Sequence, residues 1–174
     1  MKKGGKGGSK TLTGLIFESR VTLERAISSL SGYTVSDDDV FFKSRKVAEL
    51  YQKHKLYKNL LEQHKINYKT IISKKLLPDD AILIMKDKTL YIIEIKFQEV
   101  PGSVDEKLQT CDFKNRQYRK LLTPLSIEVK YVYVLNDWFA RPEYKDVLDY
   151  IKSVGCYYFF NELPLDFLNL PTPS

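Results

Sequence analysis

The sequence is short of the residues that build disulfide frameworks and histidine-ligated metal sites. It has only two cysteines, Cys111 and Cys156, and only two histidines, His54 and His64, among 174 residues. The cysteines do not stand at metal-ligand spacing, so we expect buried thiols in a reducing compartment and no zinc site. The histidines lack an Asn or acidic partner at the spacing of a His-Asn-His site, so we expect them at the surface without a catalytic role.

Long apolar runs are absent as well. No stretch approaches the roughly 20 apolar residues that span a bilayer, and the opening MKKGGKGGSK lacks the apolar segment of a signal peptide. We therefore expect a cytoplasmic protein without a membrane partner. The length is typical of one domain, which we assign to residues 1–174, with 1–11 as a flexible basic arm. Although GGKGGSKT is glycine-rich, Ser9 replaces the glycine that a phosphate-binding loop has before its lysine, which excludes an NTPase.

Positive charge is concentrated in one part of the chain. The net charge is +6, and residues 43–75 hold ten Lys or Arg against two Glu. A basic surface of this kind attracts polyphosphates, so nucleic acid is the first candidate partner. A solvated lysine-rich helix face is the alternative. The candidate DNA-binding residues are Lys6, Lys10, Lys43, Arg45, Lys46, Lys114 and Arg116.

Hydrophobic periodicity predicts a mixed α/β sheet flanked by helices. Helices are predicted at 12–30, 46–63, 104–122 and 143–153, and strands within 33–42 and at 80–86, 89–98, 127–135 and 156–161. Ser103 and Glu106 have the spacing of a capping box at the start of the third helix.

The stretch LPDDAILIMKDKTLYIIEIKFQ (77–98) places charges at the ends of two apolar strands joined by a turn at 86–88. Alternation along the second strand puts Glu94, Lys96 and Gln98 on the face opposite Ile95. A three-residue turn would set Asp80 opposite Glu94, and a two-residue turn would set Asp79 opposite Lys96. Strand pairing by itself therefore does not decide which of the two aspartates joins Glu94 and Lys96.

Carboxylates that converge in a buried position repel each other unless a cation compensates them. Asp and Glu oxygens suit Mg²⁺, which keeps waters and phosphate oxygens as its other ligands. Lys96, on the same strand face as Glu94, is placed to stabilise an attacking hydroxide or the developing charge of a phosphate. An ion-pair lattice at a solvated sheet edge is the alternative. Because YIIEIK is too apolar for an exposed edge, we favour the metal site.

These residues carry a resemblance to a known family. Pro78-Asp79, a gap of 14 residues and Glu94-Ile95-Lys96 resemble the signature of PD-(D/E)XK nucleases, and a hairpin followed by a helix is similar to the core of that superfamily. The segments TGLIFE (13–18), PGSVDEKLQTCDFKNRQYRKL (101–121) and the tail NDWF…YYFFNELPLDFL resemble small type II restriction endonucleases.

The resemblance implies a restriction-endonuclease-like core and a sequence-specific endonuclease for double-stranded DNA. It would depend on Mg²⁺, with Mn²⁺ as a substitute, and leave 5′-phosphate and 3′-hydroxyl ends. Cutting both strands of a palindrome calls for a homodimer. A DNA methyltransferase gene would be its genetic partner. A DNA repair or junction-resolving nuclease and a non-catalytic nucleic-acid-binding protein are the alternatives.

Motif positions imply roles for individual residues. Asp79 and Glu94 would hold the metal, and Lys96 would orient or activate the water. Family precedent selects Asp79, the residue after proline, over Asp80. Glu18, on the flank of the first predicted helix, matches an acidic residue that binds or orients a metal, with an ordinary surface glutamate as the alternative. Gln98 would contact the scissile phosphate.

Overall fold

The fold is built on a seven-stranded mixed sheet. The computed structural model describes residues 13–18 and 21–173. The strands are β1 Gly14–Ile16, β2 Tyr33–Ser36, β3 Asp39–Phe42, β4 Arg45–Leu50, β5 Asp80–Ile84, β6 Thr89–Lys96, β7 Glu128–Leu135, β8 Tyr157–Phe160 and β9 Glu162–Pro164. The sheet order is β2-β3-β4-β5-β6-β7-β8, and β1 pairs separately with β9. Among these strands only the pairs β6–β7 and β7–β8 are parallel. The carboxyl ends of β6, β7 and β8 therefore lie at the same end of the sheet.

Helices cover both faces of this sheet. The α-helices are α1 Leu23–Ser28, α2 Val104–Lys107, α3 Cys111–Leu122 and α4 Lys145–Ser153. A π-helix spans Leu56–Leu61, and 3-10 turns span Tyr68–Thr70, Leu108–Thr110, Thr123–Leu125, Asp137–Ala140 and Pro142–Tyr144. No helix among these described segments is long and apolar enough to cross a membrane.

The alternation of β6 separates two hydrophobic cores. Leu90 and Ile92 pack with the π-helix, α3 and α4, whereas Tyr91 and Ile93 pack with α1 and the carboxyl-terminal segment. The predicted division of β6 between two faces is therefore confirmed. Because both faces are covered, a charged side chain near the middle of this sheet is removed from water and needs a partner.

Much of the coarse prediction is confirmed. The chain forms a mixed sheet flanked by helices, with the predicted 80–98 hairpin and the later helix-strand-helix-strand order. Cys111 and Cys156 are free and buried, as expected, and His54 and His64 are exposed. The basic arm at 1–11, with Lys6 and Lys10, lies outside the described residues.

The prediction of one helix over 12–30 is wrong. Gly14–Ile16 is a strand paired with β9, and the helix is only Leu23–Ser28. Around β1, Leu15 and Phe17 are buried while Ile16 is exposed, which is the period-two pattern of a strand. Its partner lies nearly the whole chain away, so tertiary pairing overrode the local helical spacing.

The helix predicted at 46–63 is also wrong over its first part. Arg45–Leu50 is β4, held between β3 and β5, and only the π-helix Leu56–Leu61 is helical. The helix predicted at 104–122 is interrupted by the 3-10 turn Leu108–Thr110. Its capping box does not form, because the Ser103 side chain makes no capping hydrogen bond and its backbone is already helical.

Candidate active site

The register of the central hairpin decides which aspartate shares a face with Glu94. Ile84 pairs with Thr89 and Asp80 with Ile93, so the turn has four residues, 85–88, and both expected turn lengths are wrong. The same register, continued by one residue, sets Asp79 opposite Glu94. Opposed residues on antiparallel strands project to the same face, so Asp79 lies with Glu94 and Asp80 lies on the other face.

Lys96 joins the two carboxylates. Its Nζ donates to Asp79 Oδ2 at 2.6 Å and to Glu94 Oε2 at 2.8 Å. The Glu94 side chain is 5% exposed and that of Lys96 17%, whereas that of Asp79 is 43% exposed. Burial lowers the pKa of Lys96, but the charge of Glu94 and the hydrogen bonds to both carboxylates outweigh it and leave the pKa above its usual value. Lys96 is therefore a charged ammonium at neutral pH.

Pro78 ends the pairing of the two strands at this point. The Ile95 N–H donates to Asp79 Oδ2 at 3.2 Å, and the Pro78 carbonyl instead accepts from the Lys53 N–H at 3.2 Å. Pro78, the residue opposite Ile95 in the continued register, has no N–H for the Ile95 carbonyl. The N–H and C=O of one strand residue point the same way, so this carbonyl faces the β5 side, towards Pro78.

Asp80 serves a different purpose from Asp79. It is 6% exposed and accepts a hydrogen bond from the Leu23 N–H at 3.2 Å, at the start of α1. Burial raises the pKa of Asp80 to about 6, the Leu23 hydrogen bond lowers it, and the negative charge of Asp79 raises it. Asp80 therefore fastens α1 to β5 and is only partly ionised in mildly acidic solution.

An open cleft of about 970 Å³ lies against this end of the hairpin. Three chain segments line it, with Val21 and Thr22 before α1, Gln52 and Lys53 after β4, and Asp79, Asp80, Ile95, Phe97 and Glu99 from the hairpin and its continuation. Glu94 and Lys96 approach from the α3 face and do not line it. Asp79 is therefore the group that connects the carboxylate–lysine cluster to the cleft.

Gln98 is held by its backbone and has a buried side chain. Asn136 Oδ1 accepts from the Gln98 N–H at 3.2 Å, and Asn136 Nδ2 donates to the Gln98 carbonyl at 2.8 Å. Gln98 is 7% exposed, and neither atom of its side-chain amide has a partner within the part of the chain described. Asn136 was not predicted from the sequence. Its position directly after β7, which runs parallel to β6, is the sequence feature that would have placed it near the end of β6.

Other predicted site residues are not brought to this cluster. Glu18 is exposed between β1 and α1, not on a helix, and no contact with Asp79 or Glu94 is seen among the described side chains. No group of three or more His, Cys, Asp or Glu that could hold a metal occurs within residues 13–18 and 21–173. The carboxylates of Asp79 and Glu94 are thus the donors whose fit to a metal ion is considered below.

The predicted DNA-binding residues are dispersed. Arg45 and Lys46 lie at the end of β4 remote from Asp79, where Lys46 pairs with Asp39 and Glu49 at 2.8 and 2.6 Å. In the preceding turn, Lys43 lies over the Phe42 ring, 5.3 Å from its centroid.

On α3, Arg116 pairs with Asp112 at 2.9 Å and is exposed, whereas Lys114 lies 3.7 Å from Glu94 Oε2. Lys53, which was not singled out, lines the cleft itself.

Comparisons of the chain with protein-family models, with curated proteins and with solved structures gave no match. The chemistry of the cluster is therefore argued from its own residues.

Proposed function

We propose that the protein is a Mg²⁺-dependent endonuclease that hydrolyses double-stranded DNA, built on a restriction-endonuclease-like core. The observation that carries the proposal is the juxtaposition of Asp79, Glu94 and Lys96 where Pro78 ends the hairpin ladder. Two carboxylates from neighbouring strands meet at Lys96 beside an open cleft, and a pair of converging carboxylates at a cleft is expected of a site for a cation and a phosphate.

The donor set fits Mg²⁺. The carboxylates of Asp79 and Glu94 are hard oxygen donors that meet at Lys96, and Mg²⁺ takes few protein ligands. Mn²⁺ accepts the same donors. The cation would supply Lewis acidity and a water of lowered pKa at the phosphate. Glu18 does not belong to this donor set.

The chain's own groups have defined tasks at such a site. Lys96 carries a charged ammonium, placed to donate to a phosphate oxygen or to the attacking water. The buried Gln98 amide has no hydrogen-bond partner among the described residues and would have to turn towards the cleft to donate to a phosphate oxygen, while Asn136 holds its main chain. Lys53, at the wall of the cleft, offers a charge to a neighbouring phosphate.

Sequence-specific type II cleavage is the finer form of the proposal. It requires a homodimer with two sites related by a two-fold axis and leaves 5′-phosphate and 3′-hydroxyl ends. The enzyme would act in the cytoplasm, and a methyltransferase gene beside its own would protect the host DNA.

The test is incubation of the purified protein with plasmid DNA of mixed sequence and Mg²⁺. We expect discrete fragments that EDTA abolishes. Glu94→Gln and Lys96→Met should lower the cleavage rate at least about a hundredfold. The matched controls are Glu128→Gln, at the start of β7, and Lys88→Met, in the turn before β6, both at the opposite end of the sheet, and they should cleave like the wild type.

Three other outcomes would replace this function. Cutting of four-way junctions without cutting of intact duplex would identify a junction-resolving nuclease. Cleavage only of damaged duplex would identify a repair nuclease. A mobility shift without fragments, unchanged by Glu94→Gln and Lys96→Met, would identify a non-catalytic DNA-binding protein.

A further inference from the structure

We infer that Lys114 is a second lysine of this site, which neutralises Glu94 when no divalent cation is bound and contacts a phosphate oxygen when one is. The inference deepens the proposed function and rests on it for the identity of the phosphate.

The position of Lys114 on α3 directs it towards the sheet. Cys111, Asn115 and Tyr118 form the buried stripe of this helix, which packs on β7. Lys114 lies three residues after Cys111 and four before Tyr118, so it shares that stripe. Its side chain is 28% exposed, in contrast to Arg116, whose side chain is 76% exposed. Lys114 therefore runs along the core and not into solvent.

The contact of Lys114 with Glu94 is electrostatic and loose. Nζ lies 3.7 Å from Glu94 Oε2, beyond hydrogen-bond distance, whereas Lys96 Nζ lies 2.8 Å from the same oxygen. Among the residues that the structure describes, Lys114 thus has no hydrogen bond to break when it turns to a ligand. Since Glu94 is almost fully buried, a second positive charge near it offsets part of the cost of removing the carboxylate from water.

The charges of the four groups balance. Asp79 and Glu94 contribute two negative charges, and Lys96 and Lys114 contribute two positive ones. A divalent cation added to this set creates an excess of positive charge that a nucleic-acid phosphate would offset. Lys114 therefore opposes the metal when DNA is absent and supports binding of DNA when the metal is present. Because linkage is reciprocal, metal and DNA should each strengthen the binding of the other.

The test measures binding of Mn²⁺ from the loss of the free-ion EPR signal, at low ionic strength and without DNA. Lys114→Met should bind Mn²⁺ about five- to tenfold more tightly than the wild type, because one repelling charge is gone. Lys114→Arg keeps the charge and should bind like the wild type. The matched control is Lys120→Met, an exposed lysine on another face of α3, which should change the affinity less than about twofold.

The second measurement adds a mixed-sequence duplex with phosphorothioate linkages. The duplex should tighten Mn²⁺ binding to the wild type, and this gain should be several-fold smaller in Lys114→Met. In a Glu94→Gln background, Lys114→Met should tighten Mn²⁺ binding less than in the wild type, since the effect passes through Glu94.

The inference is overturned if Lys114→Met and Lys120→Met bind Mn²⁺ alike, or if neither the wild type nor Lys114→Met binds it. Its failure is distinct from failure of the proposed function. Plasmid cleavage by a protein whose Mn²⁺ affinity does not respond to Lys114 would remove the inference alone. The expected Mn²⁺ responses in a protein that never cuts DNA would remove the nuclease function alone.

Discussion

The buried carboxylate of Asp80 accepts a hydrogen bond from the Leu23 N–H at 3.2 Å, so the second of two adjacent aspartates holds a helix to the sheet. Its neighbour Asp79 projects to the other face and binds Lys96 at 2.6 Å. Adjacent strand positions therefore have separate tasks, one in folding and one in the candidate active site.

Substitution of each aspartate should separate these tasks. Asp79→Asn removes a carboxylate from the cluster, and we expect it to lower DNA cleavage at least about a hundredfold. Because Asp79 is partly exposed, the free energy of unfolding of the Asp79→Asn variant should differ from that of the wild type by no more than about 1 kcal/mol. Asp80→Asn keeps an oxygen that accepts from Leu23 and should retain cleavage. Plasmid digestion and urea denaturation check both, and loss of cleavage in Asp80→Asn alone would reverse the assignment.

The pH dependence of stability should report Asp80. Its pKa is raised from 3.8 to about 6 in the folded protein, so the folded state binds the proton more tightly than the unfolded chain. The free energy of unfolding therefore falls as pH rises from about 4 to 6. Above pH 6 the total loss from this group is about 3 kcal/mol. Asp80→Asn does not titrate, so its stability relative to the wild type should rise over the same interval and then level off.

Urea denaturation at pH 4, 5, 6 and 7 measures this difference. Groups that titrate alike in both proteins cancel when the two curves are subtracted. A difference that stays constant from pH 4 to 7 would show that Asp80 does not carry the raised pKa.

Asn136 should act as a positioning residue for Gln98. Asn136→Ala removes both side-chain hydrogen bonds to the Gln98 main chain, which should cost about 1–2 kcal/mol of stability. We expect cleavage to slow by about tenfold, because the end of β6 loses its fixed position. Mn²⁺ affinity should stay within about twofold, since the hydrogen bonds of Asn136 in the described part of the chain go to Gln98 and not to Asp79 or Glu94.

Asn67→Ala is the matched control for this substitution. Asn67 also accepts a hydrogen bond from a main-chain N–H, that of Lys69, in an exposed 3-10 turn. It should lose about 1 kcal/mol of stability without slowing cleavage. Equal slowing in the two variants would indicate that Asn136 acts only through stability.

Lys53 should contribute to DNA binding through the wall of the cleft. Lys53→Ala should weaken binding to duplexes of any sequence and reduce the slope of log affinity against log salt by about one. Lys88→Ala is the control, because Lys88 is also an exposed lysine with a positive φ but lies at the far end of the hairpin. Fluorescence anisotropy over a range of salt concentrations measures both. Equal slopes for the two variants would place the DNA elsewhere.

The residues of the candidate site were largely visible in the sequence. The alternation along Thr89–Lys96 placed Glu94 and Lys96 on one face, and the hairpin and the helix after it followed from local periodicity. Patterns of this kind are local, because the period of a strand or helix is set by its own backbone.

The tertiary structure decided what depends on distant partners. The four-residue turn places Asp79 on the face of Glu94 and Lys96, and the hydrogen bond from the Leu23 N–H holds Asp80 on the other face. The spacing between Asp79 and Glu94 in the sequence encodes neither feature. The strand at Gly14–Ile16 exists because Glu162–Pro164 pairs with it. Register and long-range pairing depend on how separate segments pack, so a single segment determines which residue types are present but not which of them meet.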